Sequence, residues 1–419
     1  MERFAEIMNL VNLVFCALFV LCYFYQAIYT VYALCAKKKP LGEGGRNRLA
    51  VLICARNEEG VIANLISSLL QQDYDKNLTS IFVVADNCTD ATAEVARCAG
   101  ATRVYERCDR EHIGKGYALD FLLRSIDREL GEDAFDAFVV FDADNLVAPT
   151  YLTEINRVYS SGYEIVASYR NAKNYGDSMV SSGSSMWFIR EARFLNTARV
   201  GFGSSAWLAG TGFLFSNKLK KRNGGWPFHT LTEDIEFMVD SALSGERVGY
   251  APDAEFFDEQ PIRFVDSFLQ RLRWAKGGLQ VFRKYGRKMI ARSLRLDASL
   301  IDYTVSIAPA YLLTVLAVLF NIIGIVLTLV SGTLMTVLPL LLAMCGGIVF
   351  LILLAATVTV VSEWKKIRAS AWRKILSIFE FVPFMLSYVP IAFFAMIFPV
   401  RWRETKHTAK TKIEDLMKK

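Results

Sequence analysis

Two different apolar patterns divide the chain. Ile7 to Leu34, Tyr303 to Val330 and Leu334 to Val361 are long uncharged runs, each sufficient to cross a bilayer core as a helix. Between the first two, apolar residues come in short blocks. Leu49-Ala50-Val51-Leu52-Ile53-Cys54, Ile81-Phe82-Val83-Val84 and Ala137-Phe138-Val139-Val140-Phe141 are continuous runs of strand length, as in strands buried on both faces. Glu164 to Ser168 and the weaker Thr102-Arg103-Val104-Tyr105 extend the series. Helical spacing separates them, in Val61 to Leu69, Ala91 to Cys98, Tyr117 to Leu130 and Tyr151 to Tyr159. This alternation predicts an α/β domain on a mostly parallel sheet, with ligands at the carboxyl ends of the strands. Asn57, Asp86 and Asp142 fall just past such ends.

Further on, Phe264, Phe268, Leu272, Leu279 and Phe282 recur at helical spacing among Arg271, Arg273, Lys276, Arg283, Lys284, Arg287 and Lys288. That is the pattern of an amphipathic helix lying on a membrane surface. Ile375 to Val400 is apolar again, but Glu380, Pro383, Pro390 and Pro399 interrupt it and basic residues flank both ends. Basic flanks on both sides favour an interfacial helix and a re-entrant piece, with a fourth crossing as the alternative. The expected organisation is a transmembrane helix in 1–40, the α/β domain in 41–262 and interface helices in 263–298. Two transmembrane helices follow in 299–361, then an interfacial or re-entrant segment and tail in 362–419.

The first run ends in Lys37-Lys38-Lys39 and lacks a basic region before it, as a retained span does and a cleaved signal does not. The lysines predict a cytosolic α/β domain in a multi-pass plasma-membrane protein. Composition agrees: 53% hydrophobic residues and a mean hydropathy of +0.28 exceed what an ordinary soluble enzyme carries. The net charge of +6 gathers beside the apolar segments, which suits lipid bilayer flanks and not nucleic acid. Eight cysteines without a C-x-x-C spacing imply neither a zinc site nor a disulfide framework. No oligomeric state follows from these features.

The candidate chemistry lies at the strand ends. Asp142-Ala143-Asp144 can hold a hard divalent cation, Mg²⁺ or Mn²⁺, beside phosphate oxygens. Asp86 can accept hydrogen bonds from a nucleobase or ribose, or simply cap the next helix, a role that Asp90 suits better. Gly114-Lys115-Gly116 is either a turn before a helix or a phosphate contact. Thr232-Glu233-Asp234 offers a carboxylate that can take a proton. Gln270-Arg271-Leu272-Arg273-Trp274 offers guanidinium forks for phosphate and an indole for a sugar ring.

Taken in order, Asp86, Asp142-x-Asp144, Thr232-Glu233-Asp234 and Gln270-x-x-Arg273-Trp274 resemble the processive family 2 glycosyltransferases, the cellulose, chitin, hyaluronan and related exopolysaccharide synthases. The resemblance implies a Rossmann-like GT-A domain that binds a UDP-sugar donor. It implies Asn57, Glu58, Asp86, Lys115, Asp142, Gln270 and Arg273 around that donor, Asp144 on the metal, and Asp234 with Glu233 as the catalytic pair. Trp274, Gly210 and Thr211 would meet the acceptor, the latter two within Trp207-Leu208-Ala209-Gly210-Thr211-Gly212. Trp402, Thr405 and His407 are similar to a gating segment. Ala209 stands where relatives often carry cysteine, and Ala85-Asp86-Asn87-Cys88 departs from the commoner first acidic motif.

The resulting expectation is an inverting, processive enzyme that polymerises a UDP-sugar into a β-linked polysaccharide acceptor chain and exports it. UDP-glucose is favoured over UDP-N-acetylglucosamine. The alternatives are single addition to a lipid acceptor and a non-catalytic transport subunit. The latter has no use for Asp144 or Asp234.

Overall fold

The structure, a computed structural model, describes residues 2–37, 41–401, 407 and 411–417. Eight strands form one sheet: β1 Leu49–Ala55, β2 Thr79–Asp86, β3 Arg103–Arg107, β4 Ala137–Asp142, β5 Leu146–Val147, β6 Ile165–Ala172, β7 Phe213–Ser216 and β8 Val248–Asp258. Their order is β3-β2-β1-β4-β7-β6-β8-β5. β3, β2, β1 and β4 run parallel, β7 is antiparallel to both its neighbours, and β5 is antiparallel to β8. The sheet is therefore mixed, with its parallel half where the sequence pattern put it.

Alternate residues of a strand face opposite sides of the sheet, so each apolar run feeds two cores. Leu52, Phe82 and Val140 pack with the helix Lys115–Leu130 and with Trp226 and Phe237. Val51, Val83 and Val139 pack under the helices Ile62–Leu70 and Tyr151–Ser160. Both layers are closed to water, and each large side chain buried there contributes about 1.5–3 kcal/mol.

Among the described residues, Arg3–Cys35, Ala298–Val330, Leu334–Ser362 and Ala371–Ile397 are long and apolar enough to cross a membrane. The first two meet at close range. Asn12 and Asn321 exchange side-chain amide hydrogen bonds of 3.0 and 2.8 Å, and a Cβ at Gly324 would stand 2.5 Å from Met8 Sδ. The Ala298–Val330 stretch breaks at Ala308, because Pro309 has no N–H to donate to the Val305 carbonyl, which accepts from Tyr23 instead. The second of these spans is tied to the α/β domain by Arg199, whose fork donates to Asp302 at 2.9 and 3.1 Å, and Tyr29 of the first span donates to the same carboxylate.

The fourth stretch behaves differently. Tyr175 and Ser377 share a 2.8 Å hydrogen bond, and Arg373 donates to Ser182 at 2.9 Å, so its start is fastened to the α/β domain. Its later part lies along the helix Phe264–Ser293, where Lys276 donates to the Ala395 carbonyl at 3.0 Å. Beyond it, Ile413 and Leu416 dock on Leu146, Ala148 and Phe257, next to Asp144. The chain thus leaves the α/β domain and returns to it.

Candidate active site

The parallel register brings the strand ends to one edge. Cys54 of β1 pairs with Asp142 of β4, and Ala55 with Ala85 of β2. Glu58, Asp86 and Asp142 consequently line one cavity of about 1700 Å³ together with Lys115, Asp144, Gly210, Glu233, Asp234, Gln270, Arg273, Trp274 and His407.

Asp86 is buried and paired with Arg107 at 2.6 Å; burial pushes its carboxyl up although Arg107 pulls it down. Lys115 opens its helix with Nζ on the Asp142 carboxylate and on the Gly210 carbonyl. Asp144 is more enclosed. Its Oδ2 accepts the Glu259 amide at 3.0 Å. Burial, with Asp258 and Asp142 nearby, pushes it up to about 8. His407 Nδ1 and Glu58 Oε1 share a 2.8 Å hydrogen bond. Burial opposes its charge, yet Asp144 and Glu58 push it up to about 10.

Glu233 and Asp234 start the helix Glu233–Leu243, where the backbone dipole favours negative charge. Even so, burial and the adjacent Asp234 push Glu233 up to about 7, against Lys115 and Arg273. Burial pushes Asp234 up as well. Gly210 sits at φ +79°, and a Cβ there would lie 3.4 Å from Asp234 Oδ2, so a bare backbone faces this carboxylate. A Cβ at Gly277 would come 2.4 Å from Thr232 Oγ1, so the glycine lets the helix carrying Gln270, Arg273 and Trp274 press against the segment carrying Glu233. Arg273 reaches the Leu231 carbonyl at 3.0 Å, and Trp274 meets Phe188 edge-on at 5.6 Å. Gln270 Oε1 is buried without a hydrogen-bond partner.

Some residues sit elsewhere than the sequence implied. Thr211 was expected at the acceptor, but it is buried, with Oγ1 bonded to Asn145 and to the Asp142 amide; it braces the loop that carries Asp144. Asn57 adopts φ 55° and its Oδ1 accepts the Thr89 amide at 2.8 Å, which joins two loops and turns that oxygen away from a donor. Arg271 is directed away from Arg273, as residues two apart on a helix are. It bonds Ser387 at 2.7 Å and stacks on Phe384. Trp402 and Thr405 lie outside the described residues.

Asp258, Glu259, Arg170 and Arg107 escaped the sequence reading. Asp258 accepts from Arg170, from Asn145 at 2.9 Å and from Gln260 at 2.7 Å, and so fixes the loop that carries Asp144. The signal was present: Phe256-Phe257-Asp258 is an apolar run ending in an acid, like Phe141-Asp142.

The donor set fits a hard divalent cation. Burial pushes Asp144 up, with Asp258 and Asp142 adding to it, and a cation would favour its charged form. Among the described residues no three His, Cys, Asp or Glu side chains form a chelating group, so diphosphate oxygens and water would complete the shell.

Residues 46–277 match a family profile described as "Glycosyltransferase like family 2". The chain belongs to that family, and its α/β domain has the GT-A-like fold. It is 26% identical over 254 residues to the beta-monoglucosyldiacylglycerol synthase of Nostoc sp., covering 58% of this chain and 51% of that protein. It thus spans about half the length of the relative. The poly-beta-1,6-N-acetyl-D-glucosamine synthase of Staphylococcus aureus is 25% identical over 295 residues, 69% of each chain. The structure of the mannosyltransferase PcManGT from Pyrobaculum calidifontis, in complex with GDP-Man and Mn²⁺, superposes with a TM-score of 0.60. It is 18% identical and covers 94% of this chain and 99% of the other.

Proposed function

We propose that the protein is a membrane glycosyltransferase that moves one sugar from a nucleoside diphosphate donor to a hydroxyl of a lipid. The observation that carries this reading is the shape and lining of the cavity. It runs unbroken from Asp142 and Asp234 to Leu13, Val20, Ile322, Leu340, Ile348 and Leu351 between the spans. This stretch of the lining is mostly aliphatic, with Phe15, Phe19, Tyr23 and Asn321 among it, and accepts an acyl or isoprenoid chain without a desolvation cost. The name of the Nostoc relative, a synthase of a glucosylated diacylglycerol, supports the same acceptor class.

In this mechanism Asp86 and Asp142 hold the nucleotide, and Arg273 meets the diphosphate. Asp144, with a bound Mg²⁺ or Mn²⁺, would supply charge stabilisation to the departing diphosphate. Asp234 takes the proton of the attacking hydroxyl. Single displacement inverts the anomeric carbon, so an α-linked donor yields a β-linked product. Glu233 keeps a second carboxyl beside the base, and Lys115 balances both. Trp274, held edge-on by Phe188, faces the acceptor headgroup. His407, bonded to Glu58 and charged by Asp144, is the residue of the gating segment proposed to respond to the nucleotide. The re-entrant course of Ala371–Ile397 and a cytosolic α/β domain at the plasma membrane belong to the same proposal, supported by the return of Ile413 and Leu416 to that domain.

The second reading, a processive exporter, draws on Gln270, Arg273 and Trp274 in the cavity and on the Staphylococcus aureus relative. Gly347 separates the two. It lines the cavity, and a Cβ added there would meet nothing within 4 Å, so Gly347→Phe is the substitution chosen to narrow the groove, with melting temperature as the control for folding. Lipid glycosylation should fall at least about tenfold while acceptor-free hydrolysis of the nucleotide sugar persists. Unchanged lipid glycosylation would overturn the reading.

A further inference from the structure

Where the groove meets the active site, its lining turns polar at Gln26, Thr30, Arg190 and Ser306. Arg190 ends the helix Met179–Arg190, two residues past Phe188, which holds Trp274. Three arginines follow one another here, and two are matched: Arg193 pairs with Glu363 at 2.9 Å, and Arg199 with Glu191 and Asp302. Arg190 is the exception. Its Nη2 donates to Gln26 Oε1 at 2.7 Å, and among the described residues no carboxylate lies at ion-pair distance. The neighbouring Glu191 is already committed to Arg199. Burial pushes the Arg190 guanidinium down from its ordinary value although the nearby Glu191 favours its charge, so that charge is only partly compensated where it stands. An arginine fork exposed to a cavity and lacking an acid matches the geometry of a phosphate.

We propose that Arg190 and Gln26 form the headgroup site of the acceptor, and that the acceptor is an anionic lipid carrying a phosphate and, beyond it, a hydroxyl. This rests on the lipid-acceptor reading. The acyl chains lie in the groove, the phosphate docks on Arg190, and the hydroxyl extends past Trp274 to Asp234. The hydroxyl oxygen bonds to the anomeric carbon of the donor as the bond from that carbon to the diphosphate breaks. The proton passes to Asp234 and the electron pair leaves with the nucleoside diphosphate. Diacylglycerol, which lacks the phosphate, would leave Arg190 unmatched.

The test uses the full chain in phosphatidylcholine nanodiscs doped with phosphatidylglycerol or with diacylglycerol. Retained lipid is counted by native mass spectrometry, and the KM for each lipid is measured with labelled UDP-glucose. Wild type should prefer phosphatidylglycerol by about tenfold or more in both readouts. Arg190→Gln should erase the preference through KM with kcat nearly unchanged, and Arg190→Lys should restore part of it. Nucleotide affinity and melting temperature serve as controls. If Arg190→Gln proves unstable, the wild-type ratio and Arg190→Lys decide. Equal retention of the two lipids by wild type, or an undiminished preference in Arg190→Gln, would overturn the headgroup site. Label found only in a lipid-free polymer would instead overturn the lipid-acceptor reading.

Discussion

Lys115 Nζ donates at once to the Asp142 carboxylate and, at 2.7 Å, to the Gly210 carbonyl. One ammonium thereby joins the strand end assigned to the donor with the turn that faces Asp234. Burial opposes its charge, but Asp142 and Glu233 push it up to about 12, so it stays cationic across the working range. Lys115→Met should leave those carboxylates unbalanced and repel a diphosphate. Donor affinity should fall by about tenfold or more, measured by calorimetry with UDP. Unchanged affinity would reduce Lys115 to a structural link.

The acid limb of the rate profile should report the Glu233–Asp234 pair. Burial and the charge of Asp234 push Glu233 up to about 7, and burial raises Asp234, so the pair sheds its second proton late. Activity should climb through roughly pH 7, and Arg273→Gln should move that limb upward by removing a cation that holds the carboxylates charged. Stability has the opposite sign. A carboxyl raised on folding contributes most below its ordinary pKa, and that contribution is lost as pH rises through about 7. Melting curves between pH 5 and 8 test this: Glu233→Gln should flatten the decline.

Asp234→Asn should abolish transfer by about 10²–10⁴-fold while UDP still binds, since a positioned base contributes roughly that much. Because Asp234 lies in the first turn of its helix, it also interacts with the helix dipole, and losing that costs about 0.3–1 kcal/mol. A small drop in melting temperature with near-normal rate would mean that the dipole interaction was its whole role.

Excess EDTA should silence the enzyme, and Mn²⁺ or Mg²⁺ should restore it. Asp144→Asn should weaken the metal-dependent part of UDP binding more than the metal-free part, read by titration with and without the ion. UDP binding indifferent to the ion in wild type would remove Asp144 from that role.

The parallel half of the sheet was legible because β1, β2 and β4 each hold an unbroken apolar run, and their loops inherit their place from the register. β7 and β8 were not. Phe213–Ser216 is too short to stand out, and Val248–Asp258 is broken by Pro252 and Asp253, beside the bulge in its pairing with β6. At the site, residues marked by a motif converged, whereas their supports did not announce themselves. Arg107, Arg170 and Asp258 act through partners 21 and 88 residues away, separations that no local spacing encodes. Thr211 misled because a polar residue in an acceptor-like motif can equally turn inward to satisfy a buried amide. Arg190 was invisible for the converse reason: only the fold reveals which arginines have no acid at ion-pair distance among the described residues.

The central claim is that the sugar goes to a lipid, and product partition tests it most directly. Purified full-length protein in anionic nanodiscs would be incubated with labelled UDP-glucose and, separately, labelled UDP-N-acetylglucosamine, then extracted with organic solvent. The account predicts label in the organic phase, on a species one sugar heavier than a membrane lipid by mass spectrometry, lost in Asp234→Asn. Label confined to a high-mass, lipid-free polysaccharide would contradict it.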